Sequence, residues 1–242
     1  MRLTTTFALL TLVALTLPGG EANAALTREE RPVTSFHAVR LVGSVDLVIS
    51  QGDSESVSIE GESKQVRSVT TSVEDGVLVI TYSPGWSLLS WIRVPDSAPR
   101  AVVTAKDLNR IAVEGSGDVR GQTLTAPDRF EIQVTGSGDV QIGTLAARSV
   151  DVRIAGSGDV RLAGAVLDEA VRIAGSGDFH GGDLKSASSK VSIAGSGDAT
   201  VWVRDKLDVS LSGSGDLGYY GTPVISQSTS GSGSLKRLGP KS

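Results

Sequence analysis

The chain has 242 residues, 29 of them Gly and none Cys, with 39% hydrophobic and only 4% aromatic side chains. That length suits one domain with a real core, and the missing cysteines exclude a disulfide scaffold, a thiol nucleophile, thiolate metal sites and a lipidated Cys anchor. The net charge of −4, from 23 basic and 27 acidic residues without a basic block, leaves nucleic-acid binding without an electrostatic footprint.

The chain opens with a basic start, Met1-Arg2-Leu3, and an apolar run from Phe7 to Leu17. Pro18-Gly19-Gly20 and then Ala22-Asn23-Ala24 follow, an order that reads as a secretory signal over residues 1–24, cleaved after Ala24. The run of 11 residues is too short for a bilayer, which needs roughly 20. The mature protein is therefore expected outside the cytoplasm, periplasmic or at the cell surface, with no transmembrane segment. Residues 25–32 read as a flexible mature N-terminus.

Residues 33–106 read as β, but irregularly. Alternation of apolar and polar residues marks strands over Phe36 to Leu41, Val45 to Ser50, Val57 to Glu60 and Val77 to Tyr82. Glu74-Asp75-Gly76 suits a tight hairpin turn. Gly43-Ser44-Val45-Asp46 looks like a degenerate copy of a tetrad that dominates the rest of the chain. Trp86 to Ile92, bounded by Pro84-Gly85 and Pro95, carries Trp86, Leu88, Leu89 and Trp91. It is either an exposed contact patch or a plug on an open end of the fold. No helix is expected in the mature chain.

From residue 107 to 238 the chain repeats. Gly-Ser-Gly-Asp begins at Gly115, Gly136, Gly156, Gly175, Gly195 and Gly213, and Gly231-Ser232-Gly233-Ser234 is a seventh copy without the acid; the intervals are 21, 20, 19, 20, 18 and 18 residues. Four residues before each tetrad stand Ile111, Ile132, Val152, Val171, Val191 and Val209. Two residues before it stand Val113, Val134, Ile154, Ile173, Ile193 and Leu211. Polar or small residues lie between, which is the two-residue period of a strand with one buried face. One unit cannot bury its own apolar face, but coils stacked at about 4.8 Å close a core and pair every strand. The near-constant period favours a parallel β-solenoid over a sandwich, with about 20 residues per coil and right-handed by the crossover rule. Residues 33–238 form this single domain and 239–242 a tail. Trp202 interrupts the aliphatic pattern in the sixth unit.

These residues resemble a known family. From Asp107-Leu108-Asn109-Arg110-Ile111 through the tetrads to Tyr220-Gly221-Thr222-Pro223, together with Phe36-His37-Ala38-Val39, the chain is similar to the "putative auto-transporter adhesin, head GIN domain" family. The resemblance implies an exported β-helical domain of the bacterial envelope and brings no catalytic residues with it. The stretch Trp86 to Ile92 departs from the common pattern.

The sharpest chemical feature is the aspartate column: Asp118, Asp139, Asp159, Asp178, Asp198 and Asp216. Neighbouring charges about 4.8 Å apart repel by roughly 1 kcal/mol in water. Either each carboxylate accepts backbone N–H groups in its own corner, as an Asx-type turn, or a row of Ca²⁺ ions offsets the charge. The structural turn is the favoured reading and no cofactor is otherwise expected, because calcium-binding Gly-rich repeats recur every nine residues rather than every 18 to 21. Arg153 and Arg172 on one strand, and Arg120 and Arg161 on the next, form an outward basic face. They could hold an acidic polysaccharide or simply pair with neighbouring acids.

His37 and His180 lack a recognisable partner, and the acids form a repeated column rather than one distinctive pair, so catalysis is not expected. A non-catalytic binding or envelope-structural module, meeting an envelope polysaccharide or protein, is the leading reading. A glycan-active β-helix enzyme and a self-associating structural protein are the alternatives.

Overall fold

The computed structural model describes residues 26–83 and 98–241. In chain order the elements are β1 (Leu26–Arg31), β2 (Ala38–Gly43), β3 (Asp46–Gln51), β4 (Ser56–Glu62), α1 (Ser63–Ser68), β5 (Val69–Glu74), β6 (Val77–Tyr82), β7 (Arg100–Ala105) and β8 (Arg110–Gly115). They continue as β9 (Val119–Gly136), β10 (Val140–Gly156), β11 (Val160–Ala165), β12 (Asp168–Gly175), β13 (Phe179–Gly195), β14 (Ala199–Gly213), β15 (Leu217–Tyr220), β16 (Val224–Gly231) and β17 (Leu235–Gly239). The result is a parallel β-solenoid of about six turns, each of about 20 residues.

Pairing follows the repeat columns without slippage at the corner-proximal strands. Ile111, Ile132, Val152, Val171, Val191 and Val209 stand in one register, and the corner glycines of successive coils are themselves partners. All six side chains in that column are buried. Register shifts fall in the stretches after the corners, such as those between Ile142 and Leu145, Ala147 and Ser149, Arg161 and Ala163, and Gly181 and Lys185, where unit lengths differ.

The N-terminal region is not stacked in chain order. Strands β2 and β3 form the turn next to the repeats, pairing with β8 and β9. On their other side lie β6 and β7, also parallel to them. The hairpin partner β5 closes one wall and the antiparallel strands β4 and β1 close the other. The turn Glu74-Asp75-Gly76 is the tight hairpin expected, with Asp75 and Gly76 at φ of 51° and 76°.

Two expectations are corrected. Residues 25–32, read as a flexible mature N-terminus, carry β1 over Leu26–Arg31, where Arg28 and Glu60 pair across to β4 at 3.0 Å and Arg31 donates to the Val66 carbonyl at 2.9 Å. A short helix, α1, does occur. Gln65 accepts the Glu62 N–H at 3.0 Å, and Val66 is buried against the core, a one-turn signal too brief for periodicity to reveal. At the tail, residues 239–242, β17 runs to Gly239 and Lys241 bonds back to Gly182. The segment holding Trp86, Leu88, Leu89 and Trp91, and the leader at 1–24, lie outside the described residues. Among the described residues no helix is long and apolar enough to cross a membrane.

Candidate functional site

The corners explain the tetrad. In each, the carbonyl of the first Gly accepts the Ser and second-Gly N–H groups of the next coil, as Gly115 does from Ser137 and Gly138 at 2.9 and 3.1 Å. That first Gly sits at positive φ, 135° at Gly156. A Cβ there would stand 2.2 Å from the Gly136 oxygen, so only glycine fits.

The remaining N–H of the corner belongs to the Asp, and its acceptor is a carboxylate one coil away. Asp118 donates to Asp46 Oδ1, Asp139 to Asp118, Asp159 to Asp139, Asp178 to Asp159, Asp198 to Asp178, Asp216 to Asp198 and Ser234 to Asp216, all at 2.7–3.2 Å. Each carboxylate therefore does accept a backbone N–H, but from the next coil rather than from its own corner. The ladder replaces a strand bond lost where the backbone turns. It begins at Asp46 of the degenerate tetrad and ends at Ser234, whose N–H and hydroxyl together hold the Asp216 carboxyl below its ordinary range.

The four arginines do not form one cluster. Arg153 and Arg172 converge with Arg129 on a single nearly buried carboxylate, Asp151, at 2.9–3.1 Å. Arg129 also meets Glu131 at 2.9 Å. Arg120 pairs with Asp118 at 3.4 Å. Arg161 lies beside His180 in the adjacent coil, and helps hold Asp183 below the carboxylate range, where Lys241 is the main cause. A shallow groove of about 330 Å³ runs past Arg129, Asp151, Lys190 and Lys206. It dips at Ala170, the small residue between Asp151 and Lys190 in their outward column.

Sequence reasoning missed three features. His180 is brought to Asp159 and Asp178, with donor atoms within 4.8 Å of one another. His37 packs instead against the hairpin glycine Gly76. Glu169 points into the core: its register column is Phe130, Val150, Glu169, Ser189 and Leu207, and burial pushes its carboxyl up to about 8 against the opposing pull of the Ser189 and Ser186 hydroxyls. The column alignment alone could have exposed Glu169, as the one acid at an otherwise inward position. Trp202 and Tyr220 stand side by side on consecutive coils.

A parallel solenoid with flat walls and repeated outward columns defines a class of display scaffold, one that presents side chains at a fixed spacing along its length. The chain belongs to the family described as "Putative auto-transporter adhesin, head GIN domain", which matches residues 35–223. Its fold is similar to that of a putative adhesin from Bacteroides fragilis NCTC 9343, with 26% identity, a TM-score of 0.81, and 88% of this chain and 97% of that one covered. A putative adhesin from Parabacteroides distasonis ATCC 8503 is 21% identical with a TM-score of 0.69, covering 89% of this chain and 98% of that one. A structure described as a putative lipid binding protein from the same organism is 22% identical, at 0.67, with the same coverage. No curated protein matches the chain.

Proposed function

We propose that this chain is an exported, non-catalytic binding module of the bacterial envelope, adhesin-like in action. The observation that carries the reading is the unbroken register of the wall that bears Arg153 and Arg172. Successive coils place outward residues in straight columns, flanked by the small residues Ala155, Ala174 and Ala194. Such a wall sets outward side chains, Arg153 and Arg172 among them, at a fixed spacing along an extended partner, and several weak contacts made together turn into firm retention. The arginines keep N–H donors beyond those given to Asp151, which suits an acidic envelope polysaccharide. The adhesin description of the family and the signal-like leader over 1–24 support export to the periplasm or the cell surface.

The test is co-sedimentation of residues 25–242 with envelope polysaccharides and membranes of the native cell. Saturable, competable retention by one fraction, weakened at least threefold by Arg153→Ala with Arg172→Ala, is the expected result. Absence of retention by every fraction, with the protein monomeric, would overturn the reading.

A further inference from the structure

Trp202 has no packing reason to be aromatic. It faces outward between the buried residues Val201 and Val203, on a different wall from the arginines. Its coil neighbours are Lys185 on one side and Tyr220 on the other. The Lys185 ammonium stands 5.3 Å from the Trp202 ring centre. A second ammonium, that of Lys241, lies 5.5 Å from Trp202 and 4.9 Å from Tyr220. The same nitrogen donates to the Gly182 carbonyl and to Asp183 Oδ1, both at 2.5 Å. One ammonium group thus meets two ring faces, a carbonyl and a carboxylate.

The surroundings leave that space open to it. A Cβ on Gly182 would stand 3.4 Å from the Tyr220 ring and 3.2 Å from Thr200, so glycine keeps the carbonyl and the ring edge accessible together. Asp183 is otherwise largely exposed, at 74%. Its ionised form is secured chiefly by Lys241. The tail bearing Lys241 is held by separate contacts upstream, where Arg237 Nε donates to the Gly221 carbonyl at 3.0 Å and Leu238 covers Gly218. Withdrawing the lysine therefore does not require the last coil to unfold.

We propose that Asp183, the Gly182 carbonyl and the faces of Trp202 and Tyr220 form a binding site for the primary ammonium of a lysine side chain on a partner polypeptide, with Lys241 as the internal competitor that fills it in the free protein. Two hydrogen-bond acceptors beside two rings call for a cation that carries N–H groups, which excludes a quaternary ammonium. Trp202 already has the ammonium groups of Lys185 on the adjacent coil and of Lys241 from the tail over its ring, an environment that suits a narrow alkylammonium arm rather than a pyranose ring. A tethered occupant competes at an effective concentration of the order of millimolar, so its removal should raise the apparent affinity for an external lysine. The site is independent of whatever the arginine wall binds.

The test compares the mature chain with its Lys241→Met variant, titrated with Nα-acetyl-lysine methylamide while the Trp202 indole N–H resonance is followed. The neutral norleucine analogue and glucosamine serve as controls. The expected result is binding at least tenfold tighter in Lys241→Met, with no response to norleucine. Adding Asp183→Asn to that background should cut it at least fivefold, and adding Trp202→Leu, read by isothermal titration calorimetry because the indole is gone, should cut it likewise, with the melting midpoint unchanged. Equal affinity with and without Lys241, binding of norleucine, or tighter binding of glucosamine than of the lysine probe would each overturn the assignment.

Discussion

Glu169 gives the sharpest stability test. It occupies an inward column shared with Phe130, Val150, Ser189 and Leu207, and it is 3% exposed. A methyl group on the facing Gly181 would lie 3.1 Å from Oε1, so the carboxyl reaches across the interior. Ser186 donates its hydroxyl to the Trp202 carbonyl at 3.2 Å and to Glu169 Oε2 at 3.4 Å, so the one proton is shared and supports the carboxylate only weakly. Burial raises the carboxyl from 4.5 to about 8. The folded chain therefore keeps a proton that the unfolded chain has released, and stability falls as pH rises through that window. The slope is about 1.4 kcal/mol per pH unit, so about 4 kcal/mol is lost between roughly pH 5 and pH 8. The difference between wild type and Glu169→Gln isolates the one group. Urea unfolding at several pH values, with the slope m checked for constancy, should show the variant gaining on wild type by that amount as pH rises. A pH-independent difference would refute a neutral buried Glu169.

The other expectations concern the corners and the arginine wall. Asp159→Ala removes the acceptor of the Asp178 N–H and should cost about 1–2 kcal/mol in urea unfolding, with Asp159→Asn, which retains a side-chain oxygen, closer to wild type. Gly156→Ala forces a Cβ to within 2.2 Å of a backbone oxygen at positive φ and should cost more than about 3 kcal/mol, or prevent folding altogether, as read by circular dichroism. Asp151→Ala leaves Arg129, Arg153 and Arg172 facing one another. Those arginines are about half exposed, so screening limits the loss to about 1–2 kcal/mol, and it should grow at low salt. The melting midpoint should be the same in EGTA and in millimolar calcium; a rise of several degrees with calcium would assign the free carboxylate oxygens of the ladder to the ion.

The repeat half of the molecule was legible because its evidence is periodic. A constant interval, a two-residue alternation and a fixed corner together leave only stacked parallel strands, and Ile111, Ile132 and Val152 fell where the columns placed them. The N-terminal half was less legible because its spatial order is not its chain order. Nothing local tells β6 and β7 to return to the far side of β2 and β3, since the pairing of Gly43 with Gly115 and of Val39 with Leu78 is decided by long-range packing. The aspartate column was visible, but its donor was not: whether a carboxylate bonds its own corner or the next coil depends on the stacking, which only coordinates fix. The same holds for Trp202, which sequence marks as an oddity and whose meaning depends on Tyr220 one coil on and on Lys241 returning from the tail.

The ladder also gives the solenoid a direction and an end. Each coil supplies the carboxylate that the following coil needs for its corner N–H, so a coil without an acid cannot receive a successor on the same terms. Ser234 is that coil: it satisfies Asp216 with its N–H and hydroxyl and offers no carboxylate in return. The last wall strand carries the matching change, because the columns of Val209 and Leu211 continue as Gln227 and Thr229. These two bond each other at 2.8 Å, and every residue of β16 is exposed. A further copy stacking there would have to bury those polar side chains and leave its own corner N–H without an acceptor, each a cost of the order of 1–3 kcal/mol. Polar substitution and the loss of one acid therefore act together against end-to-end growth, which weighs against an open-ended fibre.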